Sequence, residues 1–156
     1  MAVPYQLVIN CADPDRQARF WAVALGYELE VPPPGFASWD DWRREMGLLA
    51  TVGVGADSIV DPDGKAPRIW FQVSPDGKTV PNRLHVDIHA SGGPNVPYAT
   101  RRERMLAVAR KLCDLGASMT DPDAWANHDA WANDDADTGP YAVAMRDPEG
   151  NEFDIN

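Results

Sequence analysis

The sequence predicts an α+β fold in which one strand–helix–strands unit is used twice. Three observations carry this. Strand-like stretches with one apolar and one polar face recur through both halves of the chain. In each half the first such strand is followed by an apolar helix that a glycine stops, at Leu25-Gly26 and Leu115-Gly116, 90 positions apart. An Asp-Pro-acid-Gly turn occurs at 61–64 and again at 147–150, 86 positions apart. Two landmarks at a near-constant offset are what a duplicated unit produces.

From Tyr5 to Cys11 the residues alternate, with Leu7, Ile9 and Cys11 on one face and Gln6, Val8 and Asn10 on the other. That pattern predicts a half-buried strand. Asp13 is placed to cap the helix that follows, with Pro14 at its first position. The helix carries Phe20, Trp21, Ala24 and Leu25 and stops at Gly26. Tyr27 to Val31 reads as a short strand, halted by three prolines at 32–34. Ser38 caps a brief helix, Trp39 to Met46, and residues 47–55 with the neighbourhood of Ile59 supply further strand. After the first Asp-Pro turn, Ile69, Phe71 and Val73 alternate with Arg68, Trp70 and Gln72.

The second half starts over. Leu84, Val86 and Ile88 alternate with His85, Asp87 and His89, and a Gly/Pro-rich loop at 91–97 leads into the second helix. Met105, Leu106, Ala109, Leu112 and Cys113 form that helix's apolar side. Residues 121–139 depart from the pattern: Asp-Ala-Trp-Ala-Asn occurs at 123–127 and again at 129–133, in an acidic insertion. It reads either as a solvated excursion anchored by Trp125 and Trp131 or as an aromatic flap over a ligand site. After the second turn, Phe153 and Ile155 point one way and Glu152, Asp154 and Asn156 the other.

At 156 residues, 44% of them apolar, the chain is one domain's worth or two small modules around one core. No apolar run approaches 18 residues and no signal-peptide pattern opens the chain, so a cytoplasmic protein is expected, with no membrane partner. Cys11 and Cys113 sit in apolar patterns without a CxxC and read as buried hydrophobes rather than as a disulfide or a zinc site. A net charge of −10 argues against nucleic acid, whose phosphates need Lys and Arg patches. The same charge serves ordinary solubility and would concentrate a cationic ligand.

Several segments, taken in order, carry a resemblance: the strand from Gln6 to Asp13, Phe20-Trp21 with Leu25-Gly26, the stretch from Asn82 to Asp87, Leu115-Gly116-Ala117, and Asp147 to Asn151. Together they resemble the vicinal oxygen chelate superfamily, and within it the glyoxalase-like and bleomycin-resistance-like branch. The resemblance covers nearly all of the chain apart from 37–47 and 121–139. It implies a single domain of two βαβββ modules, about 1–80 and 81–156, forming a curved mixed sheet around a cavity. It also implies a homodimer.

In metal-using members the first and last strand of each module supply ligands. Carried over, the resemblance implies Gln6, Gln72, His85 and Asp154 as a divalent-metal set, for Mg, Mn, Ni, Zn or Fe. Alternation independently puts all four on polar strand faces. Gln72 is the least regular match, because it stands eight residues after Gly64 whereas Asp154 stands four after Gly150. Only one ligand is anionic, and Asp87, His89 or Glu152 are available to supplement it. With metal, the family chemistry implied is chelation of two adjacent substrate oxygens and stabilisation of enolate-type charge. Glu152 is the candidate proton shuttle, a role favoured by a pKa raised through burial. Trp70, Asp87, His89 and Asn10 are the candidate contacts to a small-molecule ligand.

Ordinary structural roles compete with each assignment. His85 beside Asp87 fits a hydrogen-bonded histidine, Asp154 fits a partner for Arg83, Trp70 fits wall packing and His128 fits solvent. Three functions follow. One is a metal-dependent lyase or isomerase of glyoxalase type, and another a metal-free protein that binds cationic, drug-like molecules. The last is a partner-binding domain whose cavity is filled.

Overall fold

Ile69 and Phe71 are buried while Trp70 between them is half-exposed, and Phe153 and Ile155 are buried on either side of a half-exposed Asp154. Each of these strands therefore turns one side to a core and the other outward. The computed structural model describes residues 3–47, 56–74, 76–123 and 142–156. The chain divides into two compact units, residues 1–77 and 78–156. The strand expected at 47–55 lies, from residue 48 on, outside the described residues. So does the insertion from residue 124, with Trp125, His128 and Trp131.

The first unit runs β1 (Leu7–Cys11), α1 (Pro14–Leu25), β2 (Glu28–Leu29), α2 (Trp39–Glu45), β3 (Ser58–Val60) and β4 (Ile69–Val73). The second runs β5 (Asp87–Ile88), α3 (Tyr98–Cys113), β6 (Ser118–Met119), β7 (Val143–Arg146) and β8 (Glu152–Ile155). The sheet orders are β1-β4-β3-β2 and β5-β8-β7-β6. In each sheet the first and last strands of the unit pair in parallel and the remaining pairs are antiparallel. Both units are thus βαβββ, with α2 inserted in the first, and the fold is α+β with two four-stranded mixed sheets.

Local chemistry accounts for the boundaries. The Asp13 carboxylate accepts the Arg16 backbone N–H at 3.1 Å and Pro14 occupies the first turn, so α1 starts there. Gly26, at φ 69°, ends it in the left-handed region that suits glycine. The two Asp-Pro-acid-Gly turns are one device used twice. Asp61 accepts the backbone N–H groups of Asp63, Lys65 and Ala66, and Asp147 accepts those of Glu149 and Asn151. Those donors, that of Asp63 first, hold the Asp61 carboxyl below the usual carboxylate range.

Ala18, Phe20 and Trp21 of α1 are buried in one core with Ile59, Ile69 and Phe71. Met105, Leu106, Ala109 and Leu112 of α3 are buried in the other with Val143, Met145, Phe153 and Ile155. Among the described residues no helix is long and apolar enough to cross a membrane.

Three strands are clearly shorter than alternation predicts, the first of them β1, which begins at Leu7 and not at Tyr5. Tyr27 to Val31 contracts to β2, and Leu84 to His89 contracts to β5. Ahead of β5 the backbone N–H of Asn82 donates to the Glu152 carboxylate at 2.9 Å, and the Asp154 N–H donates to the Val86 carbonyl at 3.0 Å. Leu84 is left 88% exposed.

Phe71→Ala removes a fully buried ring and should cost about 3–5 kcal/mol. Urea unfolding should show a lower midpoint with an unchanged slope.

Candidate functional site

In the second unit the sheet's outer face carries a row of polar side chains. His85 Nδ1 lies 4.0 Å from Asp154 Oδ2, and the ring's Nε2 lies 3.3 Å from the Asn82 carbonyl oxygen. Asp87 is the register partner of Asp154 on the neighbouring strand. Its Oδ2 accepts from Asn156 Nδ2 at 3.3 Å, and Asn156 Oδ1 is 2.5 Å from His89 Nδ1. Four of the expected site residues therefore share one stripe, His85–Asp154–Asp87–His89, with Asn156 joining the last two. The side chain facing Asp154 Oδ2 is that of His85, not Arg83.

Glu152, expected as a proton shuttle, sits in surroundings of the opposite kind. Lys78 Nζ is 2.7 Å from its carboxylate, the Asn82 N–H donates to the same oxygen, and these hold the carboxyl down at about 2. A group so readily ionised is a poor proton carrier near neutrality. Its geometry is that of a clamp joining residues 78–82 to β8.

In the first unit Gln6 stands at the head of β1, opposite Arg68. Arg68 Nη1 donates to Gln6 Oε1 at 2.9 Å, the atom a metal would need. The same guanidinium donates to Glu30 at 2.9 and 2.6 Å and to Ser58 Oγ at 2.6 Å. Arg68 was visible in the alternation as a polar-face residue, but nothing local in the sequence tied it to Gln6 or Glu30.

Register identifies which first-unit residue corresponds to Asp154. Asp154 is paired with Asp87, two beyond His85, and with Ala144, three before the turn residue Asp147. The residue paired with Val8, two beyond Gln6, and with Ser58, three before Asp61, is Trp70. Gln72 is paired instead with Asn10, about 7 Å farther along the strand at roughly 3.3 Å per residue. The counterpart of the Asp154 carboxylate is therefore an indole, and Gln72 and Asn10 correspond to Asn156 and His89. The turns differ in length as well: nine positions separate Asp61 from Trp70, seven separate Asp147 from Asp154.

The donors do not fit a four-ligand ion in the arrangement the resemblance implied. Gln6 is engaged by a guanidinium, Trp70 offers no lone pair, and Gln72 is displaced. Among the described residues no three His, Cys, Asp or Glu side chains are grouped to hold a metal. What remains is a neighbouring imidazole and carboxylate in the second unit, and an amide–guanidinium–carboxylate network beside an indole in the first.

The model of the glyoxalase-like domain matches residues 6–156. The chain belongs to this family. That places it in the vicinal oxygen chelate superfamily. Solved structures share the fold at low identity. A hypothetical protein from S. aureus is 13% identical, with a TM-score of 0.55, 99% of this chain covered and 93% of that one. A glyoxalase/bleomycin resistance protein/dioxygenase family enzyme from Burkholderia phytofirmans PsJN is 12% identical, with a TM-score of 0.52 and coverage of 97% and 94%. No curated protein sequence matches the chain significantly.

The Glu152 clamp makes a pH prediction for this glyoxalase-like protein. Its folded carboxyl binds a proton less tightly than the ordinary value of 4.5, so its stabilisation is complete above that pH and is lost as pH falls toward about 2. Glu152→Gln should therefore lower the melting temperature at pH 7, and the gap from wild type should close between about pH 4.5 and 2.

Proposed function

We propose that this glyoxalase-like protein binds cationic small molecules and does so without a four-ligand metal centre. The observation that carries the reading is the Arg68–Gln6 hydrogen bond, which gives the expected metal-ligand oxygen to a guanidinium. Trp70 at the position corresponding to Asp154 supports it, as do the adjacent carboxylates of Asp87 and Asp154 and the net charge of −10. Carboxylates attract a cation over distance, and an indole face adds about 0.5–2 kcal/mol on contact.

A second reading, a metal-dependent lyase or isomerase, is favoured by one observation, the 4.0 Å approach of His85 to Asp154. Those two side chains alone make half a ligand set.

Elemental analysis and tryptophan fluorescence decide between them. The binding reading expects no stoichiometric metal after chelator-free purification and no thermal stabilisation by divalent ions. It expects aromatic cations to quench fluorescence more than neutral or anionic analogues. The response should fade from 0.1 to 1 M salt, as the screening length falls from about 10 to 3 Å. Trp70→Ala should weaken binding about 2–30-fold. Stoichiometric metal, or preference for anions, overturns the reading.

A further inference from the structure

We infer that the space between His85 Nδ1 and Asp154 Oδ2 takes an ammonium group that bears N–H, as in a primary amine. The inference rests on the cation-binding reading and narrows its ligand class. It starts from the hydrogen on the imidazole. Nε2 lies 3.3 Å from the Asn82 carbonyl oxygen, which can only accept, so Nε2 carries the hydrogen of the neutral ring. Nδ1 then presents a lone pair. Asp154 Oδ2, 4.0 Å away, is an acceptor as well. Two acceptors at that separation do not bond to each other; they call for a donor between them.

The separation selects the donor. A nitrogen about 2.8–2.9 Å from each acceptor subtends roughly 90°, within reach of two hydrogens on one tetrahedral ammonium. A divalent ion about 2.1 Å from each would require an angle of roughly 140–150°, far from tetrahedral or cis-octahedral geometry. A hydroxyl has one hydrogen and satisfies one acceptor. A quaternary ammonium has none.

Charge favours the same guest. Asp87 stands beside Asp154 in register, so a cation held there has two carboxylates nearby. The site is open to solutes, with the His85 and Asp154 side chains 46% and 30% exposed. Glu152 acts here as a positioning residue: by holding the Asn82 N–H it fixes the backbone whose carbonyl sets the imidazole tautomer.

Calorimetry at pH 8 with benzylamine and benzyltrimethylammonium tests the inference, because the two probes differ in their N–H groups. Benzylamine should bind at least about tenfold more tightly, as charge-assisted hydrogen bonds imply. His85→Ala and Asp154→Asn, folded by circular dichroism, should each bring it close to the quaternary probe. Nitrogen-15 shifts of His85 should report the Nε2–H tautomer. Equal binding of the probes, a preference surviving both substitutions, or the Nδ1–H tautomer overturns the inference and leaves the cation reading intact. Binding of neither probe overturns both.

Discussion

Strand register is the constraint on which the site depends. Because side chains alternate faces, a one-residue slip of β8 against β7 would bury Asp154 and expose Phe153. The Asp147 carboxylate guards against that slip by accepting the Glu149 and Asn151 N–H groups and fixing the turn between the strands. Asp61 does the same between β3 and β4. Each carboxylate sits a few residues from the polar face it organises.

The two units then diverge through what their faces carry. In the second, an imidazole faces a carboxylate and both remain accessible. In the first, a guanidinium gathers Gln6, Glu30 and Ser58 into a network that uses most of its N–H groups. A duplicated fold thus presents an electron-rich face in one unit and a charge-compensated face with an indole in the other. Symmetry of backbone has not been kept as symmetry of chemistry.

Features set by neighbouring residues could be read from the chain. The Asp13 cap, the Gly26 stop, both Asp-Pro turns and the buried sides of β4 and β8 depend on contacts within a few positions or on simple alternation. Features set by distant residues could not. Lys78 meets Glu152 from 74 positions away, which turned an expected proton carrier into a clamp. Arg68 reaches Gln6 across 62 positions. Gln72 was placed one strand repeat too far because the counterpart of Asp154 is fixed by strand pairing, Trp70 against Val8 and Ser58, and not by distance along the chain.

The brevity of β2, β5 and β6 has its own consequence. Each ends a row in its sheet and spans two residues. Such margins offer an approaching chain few unsatisfied amides to pair with, so they resist the stacking of molecules into fibrils.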